Sequence, residues 1–452
     1  MPTRTPIAPS SVDPADDETS SHIATIGHAI AASWALLVGI GLLMLGTGLQ
    51  SSLLGVRASL EGFDTTTTGI VMSSYYLGYL LGSIRAPHLV ATVGHIRVFA
   101  AFASLASSAV LIHVLFVNPF AWSLTRMISG FCMAGLFVVA ESWLNDGATN
   151  ETRGSLLSVY MVVANGAMAA GQLLLNAADP LGSKLFITIS VLVSLALVPA
   201  ALSVRANPRF LQPVPVTLRE VFHAAPLGVV GALLAGTATG ALFGVGVVYA
   251  QLAALSLAET SVFMLVAILG GALLQWPIGA ASDRTDRRRV IAASALGAAV
   301  VCAIGTIGFH DLALFGLIGV VGGLSIPLYP LANAHTNDFI EPEQVVGAGS
   351  RLVLASGLGA ITGPFLASSA MAALGAAGFF WFLAMVHLLI AGFAVYRITR
   401  RAPVPVDEQS HYAVFPAESS VLVSTLNPEV WDEDDEPVFE HTGEMPVVVV
   451  GE

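Results

Sequence analysis

The chain has 452 residues, of which 55% are hydrophobic and only 11% are charged, and its formal net charge is −12. Because an ordinary soluble domain carries about 25% charged residues, this composition excludes a protein whose whole surface faces water. Apolar runs of roughly 20 residues, long enough to cross a bilayer as helices, recur along the sequence. The sequence therefore predicts an all-α polytopic membrane protein.

Twelve apolar runs, bounded by charges, Pro or Asn, are predicted to form transmembrane helices. They lie at residues 30–50, 67–91, 97–117, 119–141, 156–178, 185–204, 227–250, 261–281, 290–309, 312–333, 347–371 and 378–397. A basic, Pro-rich break at 205–226 separates the first six runs from the last six. The sequence thus predicts two six-helix bundles, 28–204 and 227–400, and such tandem bundles are one transporter architecture, with substrate bound near the midplane between them.

Basic residues predict the orientation of these runs. Fifteen Arg residues fall in segments on one side of the predicted membrane, and only Arg57 and Lys184 fall in loops on the other side. Since basic residues concentrate in cytoplasmic loops, both termini and the 205–226 linker are expected in the cytoplasm, with the protein in the inner (plasma) membrane.

The two ends of the chain differ from its middle in composition. No Lys or Arg follows Arg401, whereas twelve acids do, so residues 1–401 are formally neutral. The segment 401–452 is rich in Pro and acids without a sustained period, which predicts a disordered cytoplasmic tail. The segment 1–27 is predicted to be a disordered cytoplasmic tail as well. It lacks the features of a signal peptide, so the first helix is expected to serve as its own insertion signal.

In the first bundle, Arg126 lies about two turns inside the fourth apolar run. Such an Arg is costly in hydrocarbon and should face the bundle interior or a wet cavity, although snorkelling to the outer headgroups is the alternative. Glu141, at the end of the same run, suits either a protonatable group in a cytoplasm-facing vestibule or an ordinary helix-end residue.

Further polar side chains lie at membrane depth and are candidates for lining a substrate cavity. For each of them, an interhelical hydrogen bond is the alternative role. They are Tyr75, Tyr79, Asn165, Gln172, Tyr249, Gln275 and Asn333.

The densest charge cluster, residues 283–289, directly follows the apolar run 261–281. An Asp at a helix end can accept hydrogen bonds from backbone donors and bind a nearby Arg. The pattern resembles the loop motif of the major facilitator superfamily, with Asp286 where the motif's second Gly is usual, and its matching residues are Gly279, Asp283, Arg284, Arg287 and Arg288. The resemblance covers about residues 28–400 and implies a cytoplasmic gate whose Asp and Arg link neighbouring helices. A plain topology anchor is the alternative.

Two other stretches extend this resemblance. Arg126, with Gly130 and Ala134, is similar to a second motif of the superfamily, in which the Arg is associated with proton coupling or substrate anions. Arg126 and Glu141 are therefore coupling candidates. The stretches "ESWLN", "LGGALLQWPIG" and "SIPLYPLANAHTND" resemble the YcaD-type branch of the superfamily. In the first half of the chain, by contrast, only Gly94 and Arg97 of the loop motif remain, so a charge-based gate is expected in the second half.

The sequence contains no phosphate-binding loop and no nucleophile or metal-ligand motif, which argues against an ATP-driven pump and against an enzyme, and no cofactor or metal is expected. We expect a secondary transporter that moves a small molecule by alternating access with proton coupling, and a facilitator without coupling is the alternative. Its expected partners are that substrate, protons and the lipid bilayer, without nucleic acid or an obligatory protein partner. The rival interpretation is a transporter-like receptor or scaffold that acts through its acidic tail.

Overall fold

The computed structural model describes residues 14–146, 148–202 and 216–413, and within these ranges it contains helices, turns and loops but no strand. The helices are α1 (Pro14–Leu60), α2 (Thr65–Val93), α3 (His95–Leu115), α4 (Pro119–Asp146), α5 (Asn150–Leu173), α6 (Lys184–Leu202), α7 (Leu218–Ala224), α8 (Pro226–Leu252), α9 (Leu257–Ser282), α10 (Arg287–Gly305), α11 (Asp311–Ser325), α12 (Leu328–Asn337), α13 (Val345–Leu374) and α14 (Ala377–Ile398). Among the described residues, ten helical segments are long and apolar enough to cross a membrane. The prediction of an all-α protein with several membrane-crossing helices is confirmed, and the count of twelve stays a prediction.

Side-chain caps mark where several helices begin. Asp64 accepts a hydrogen bond from the backbone N–H of Thr67 (2.9 Å) at the start of α2, and its hydrogen bonds to Thr67 lower the pKa of Asp64. A capping box at Ser256 and Glu259 begins α9, with the Ser256 N–H donating to Glu259 Oε2 at 2.8 Å. These caps satisfy backbone donors that have no partner within the helix.

The helices form two packed groups, α1–α6 and α8–α14. Because successive long helices run in opposite directions, their connections alternate between two ends of the molecule. We call the end that holds residues 216–225 and the 283–289 turn the linker end. The opposite end, which holds the α1–α2 connection at residues 61–64, is the far end.

The two bundles meet at the far end. Asn176, in a short 3₁₀ turn (Leu174–Ala177) after α5, donates a hydrogen bond from Nδ2 to Ser261 Oγ of α9 (2.9 Å). A Cβ placed on Gly55 of α1 would lie 3.2 Å from the Cβ of Val247 of α8. These contacts tie the first bundle to the second near the ends of α1, α5 and α8.

The tenth predicted run is broken in the structure. It consists of α11 and α12, with a turn at Ile326 and Pro327 between them. Pro327 and Pro330 have no backbone N–H, so neither can donate the hydrogen bond that a continuous helix requires. The break leaves Tyr329 in the first turn of α12, facing the space between the bundles.

Predicted boundaries differ from the structure at both ends of the chain. The helix α1 begins at Pro14, so residues 14–27 are helical although a disordered tail was expected up to residue 27; Pro is common in the first turn of a helix. Residues 401–413 lie against the second bundle, whereas the disordered tail was expected from 401. Residues 1–13, 203–215 and 414–452, with the remaining parts of both predicted tails and of the linker, lie outside the described residues.

Helices approach closely where glycine faces a neighbouring backbone. A Cβ on Gly359 of α13 would overlap the carbonyl oxygen of Leu233 of α8, whereas a Cβ on Gly392 of α14 would meet nothing within 4 Å. The contact between α8 and α13 therefore requires glycine at position 359.

We expect Gly359→Ala to lower the free energy of unfolding by about 1–3 kcal/mol, because the added methyl group forces the two helices apart. Thermal unfolding of the detergent-purified protein, followed by tryptophan fluorescence, measures the effect. Gly392→Ala is the matched control and should leave the melting temperature unchanged or slightly higher. Equal melting temperatures for the two variants would contradict this account of the α8–α13 contact.

Candidate functional site

A cavity lies between the two bundles and is lined by both of them. The first bundle contributes α2, and the second contributes α8, α13 and the break between α11 and α12. The polar side chains of its lining are hydroxyl groups: Tyr75, Tyr76, Tyr79, Ser83, Thr239, Tyr329 and Ser356. Among the described residues that line the cavity, none carries a charge.

The aromatic wall on α2 follows from the local sequence. Tyr75 and Tyr79 are one turn apart on one face of the helix, and their ring centroids are 6.1 Å apart. Tyr76 packs edge-on against Tyr75, with ring centroids 5.5 Å apart. On the second bundle, Gly240 and Gly357 belong to the lining. A Cβ on Gly240 would meet the backbone of Ala360, so this glycine lets α8 and α13 approach closely beside the cavity.

Arg126 lies inside the first bundle, behind this wall. It is 5% exposed, and its guanidinium carbon is 4.3 Å from the centroid of the Tyr75 ring. A guanidinium over a tyrosine face is favourable, the more so when both groups are shielded from water. Arg126 does not line the cavity itself but contacts a residue that does.

Glu141 is fully buried near the other end of α4. The hydroxyl of Tyr160 on α5 donates a hydrogen bond to Glu141 Oε1 at 2.9 Å. Tyr329 of the second bundle lies within electrostatic range of the Glu141 carboxyl group. Fifteen residues along one helix correspond to roughly 22 Å, so Arg126 and Glu141 do not form a pair.

The other predicted cavity residues lie away from the lining. Asn165 is half-buried on α5, and Gln172 accepts a hydrogen bond from the hydroxyl of Ser52 between α1 and α5. Tyr249 packs in an aromatic cluster within the second bundle, and Gln275 and Asn333 are buried on α9 and α12. Of the seven predicted residues, the structure brings Tyr75 and Tyr79 to the cavity.

Tyr329, Thr239 and Ser356 line the cavity but were not among the predicted residues. One sequence signal points to the first of them. The spacing of Pro327 and Pro330 interrupts an apolar run, and discontinuous helices are common at transporter binding sites. Thr239 and Ser356 lie within unbroken helices, where hydropathy alone does not distinguish a cavity face from a packed face.

The charged turn at the linker end is organised around Arg287, whose side chain is 1% exposed. Arg287 donates hydrogen bonds to Asp283 Oδ1 at the end of α9 (3.0 Å) and to Asp338 Oδ1 at the end of α12 (2.6 Å). It also donates to the carbonyl oxygen of Ala334 (2.8 Å). One guanidinium thus joins α9, α10 and α12. Burial raises the pKa of Asp338 to about 6, although the charge of Arg287 opposes this shift.

Asp286, which stands where the motif usually has Gly, caps α10. Its Oδ1 accepts hydrogen bonds from the backbone N–H (3.1 Å) and the Nε (2.9 Å) of Arg288. Burial alone would raise the pKa of Asp286, but the hydrogen bonds and charge of Arg288 lower it overall. Arg284 and Arg289 are exposed, so the buried cations of the turn are Arg287 and Arg288.

Two helical bundles around a shared central cavity define a membrane transport protein. Residues 36–276 and 227–431 match the family described as the Major Facilitator Superfamily, and the chain belongs to this family. It is 28% identical over 334 residues to a protein of Escherichia coli (strain SE11) described as an uncharacterized MFS-type transporter YcaD, covering 73% of this chain and 86% of that one. The resemblance to the YcaD-type branch is confirmed.

Solved structures with the same fold share little sequence with this chain. A bacterial homolog of the human lysosomal transporter Spinster, in an inward-facing conformation, has a TM-score of 0.67 at 14% identity, covering 85% of this chain and 99% of that one. The nucleoside transporter NupG has a TM-score of 0.66 at 15% identity over 81% and 96%. A variant of the Escherichia coli fucose:proton symporter FucP has a TM-score of 0.52 at 16% identity over 82% and 99%.

We expect Arg287→Ala to lower the free energy of unfolding by about 3–5 kcal/mol, because it leaves the buried carboxylate of Asp338 without its cation. Thermal unfolding of the purified protein measures the loss. The control is Arg289→Ala, two residues away, whose side chain is 76% exposed and 3.9 Å from Asp286. Its cost should stay within about 1 kcal/mol. A similar loss of unfolding free energy in both variants would show that the buried ion pairs of Arg287 stabilise the protein no more than an exposed arginine does.

Proposed function

We propose that this protein carries a small, uncharged, ring-containing molecule across the inner membrane by alternating access. In this proposal the chain crosses the membrane twelve times, and both termini and the linker end face the cytoplasm. The observation that carries the proposal is the cavity, because its lining comes from both bundles. A binding site divided between two bodies is exposed to one side or the other as the bodies rock.

The chemistry of the lining supports the substrate class. Aromatic rings stack on flat or apolar ring faces, while tyrosine, serine and threonine hydroxyls both donate and accept hydrogen bonds. A charged substrate would have to leave water for a site whose described lining offers no opposite charge. Two structures of the same fold are described as carriers of a nucleoside and of fucose, which are compounds of this general kind.

The contacts at the far end support a state closed at that end. Asn176–Ser261 and Gly55–Val247 both join the bundles there. In the proposed cycle these contacts separate when the cavity opens to the far side and re-form when it opens to the cytoplasm.

We expect a disulfide between Gly55→Cys and Val247→Cys to stop transport, and a reducing agent to restore it. The 3.2 Å between the corresponding Cβ positions is close to the separation of about 3.5–4.5 Å found in disulfides. A panel of nucleosides, hexoses and phenols is first screened, at two pH values, for a compound that raises the melting temperature of the purified protein. Uptake of that compound into proteoliposomes then measures transport.

The matched control is Ser107→Cys with Ser190→Cys. Their hydroxyl oxygens are 2.7 Å apart, but both residues lie in the first bundle. Oxidation of this pair should leave transport unchanged, since it crosslinks α3 to α6 within one rocking body. Unimpeded transport by the oxidised Gly55–Val247 pair would contradict alternating access between the bundles.

We also propose that Glu141 takes up and releases the coupling proton. It is a fully buried carboxyl, hydrogen-bonded by Tyr160 and near Tyr329 across the cavity. Opening of the cavity towards water would allow this carboxyl group to exchange a proton with the solvent.

In Glu141→Gln, we expect a pH gradient to drive no accumulation of substrate, while exchange of substrate at equal pH persists. A neutral amide keeps the size of the side chain but holds no transferable proton. Proteoliposomes with and without an imposed pH gradient separate the two activities. Glu341→Gln, at an exposed position on the linker end, is the control and should keep both. Gradient-driven accumulation by Glu141→Gln would exclude this residue as the proton site.

A further inference from the structure

The segment 402–413 follows α14 and folds back over the linker end of the second bundle. Arg288 donates a hydrogen bond to the carbonyl oxygen of Arg401 (2.7 Å), which fixes the start of this segment. A short 3₁₀ turn (Val406–Glu408) then reverses the chain, and Gln409 Nε2 donates to the carbonyl oxygen of Val404 (3.2 Å) within the segment. We call residues 402–413 the tail segment.

Ser410 brings the tail segment into the cluster around Arg287. Its backbone N–H and its hydroxyl both donate to Asp338 Oδ1, at 3.1 and 3.0 Å. Its carbonyl oxygen accepts a hydrogen bond of 2.6 Å from Arg287. Because Arg287 and Asp338 are almost fully buried, these bonds form where water competes little for them.

Tyr412 extends the contact onto α9. Its backbone N–H donates to Asp283 Oδ1 (3.0 Å), and its ring packs directly on Gly279. A Cβ at position 279 would overlap Cδ1 of the Tyr412 ring, so the ring occupies the space that the missing side chain leaves. The Tyr412 hydroxyl is buried beside Gln275.

The tail segment covers a particular face of α9. At 100° per residue, Gln275, Gly279 and Asp283 each lie within about 40° of Ser261 around the helix. Ser261 is the residue through which α9 contacts Asn176 of the first bundle at the far end. One face of α9 therefore contacts the first bundle at the far end. The tail segment covers the same face of α9 at the linker end.

We propose that the tail segment is a removable wedge: it covers the first-bundle-facing surface of α9 at the linker end and keeps the bundles apart there. Closure of the linker end then requires Ser410 and Tyr412 to leave Asp338, Asp283 and Gly279. The tail thereby sets the balance between the two states of the carrier. This inference rests on the rocking of bundles proposed above.

The test measures the distance between the bundles at the linker end of the full-length protein. Spin labels at Arg97→Cys on α3 and Glu341→Cys after α12, both at exposed positions, report that distance by double electron–electron resonance. Tyr412→Ala should raise the ratio of short-distance to long-distance molecules roughly tenfold, the scale expected for loss of a half-buried aromatic side chain. Tyr396→Ala is the matched control, because it removes an exposed tyrosine from α14. It should leave the ratio unchanged.

A second comparison uses two truncations. A chain that ends at Ala413 keeps the tail segment and should match the full-length protein, whereas a chain that ends at Arg401 should match Tyr412→Ala. If two distance populations are present but their ratio is the same in Tyr412→Ala, in the chain that ends at Arg401 and in the full-length protein, the wedge is excluded and the rocking of the bundles is supported. A single, unchanging distance in every variant would overturn the rocking, and the wedge with it. A cooperative thermal unfolding transition in Tyr412→Ala and in Tyr396→Ala shows that both variants are folded.

Discussion

The buried guanidinium of Arg287 holds the linker end of the second bundle together. A cation that is 1% exposed has lost its hydration and must be compensated by the protein. Asp283 and Asp338 supply the opposite charge, and the carbonyl oxygens of Ala334 and Ser410 supply further acceptors. These partners come from α9, α12 and the tail segment. One side chain of α10 therefore bonds all three to α10.

The buried ionic groups lie apart from the central cavity. The described lining of the central cavity is aromatic and hydroxyl-bearing, while the buried ionic groups lie behind it or at the two ends of the molecule, as in Arg57–Glu61 at the far end and Arg287–Asp338 at the linker end. Arg126 lies over the ring of Tyr75, which lines the cavity, and Glu141 lies within electrostatic range of Tyr329, which lines it as well. In our proposal, this arrangement lets charged groups respond to the rocking of the bundles without contributing a fixed charge to the substrate cavity.

Glycine makes the helices fit closely enough for this arrangement. Gly130 and Gly78 bring α4 and α2 together near Tyr75, since a Cβ on either would overlap a carbonyl oxygen of the other helix. Gly279 serves the tail in the same way, because its missing side chain makes room for Tyr412. The same small residue therefore packs permanent helix pairs and, in our proposal, a removable contact.

Sequence patterns identified what depends on local composition: the apolar helices, the family, the charged turn and the Arg in α4. Hydropathy is a property of consecutive residues, and the Asp–Arg spacing of a helix end is short enough to recognise. The tertiary structure alone decided which polar residues share a space. Tyr75 and Tyr79 reach the cavity while Tyr249 does not, because helix rotation and crossing set the direction of each side chain. It also placed Asp338 on Arg287 and Tyr412 on Gly279, contacts between residues far apart in sequence that neither composition nor spacing encodes.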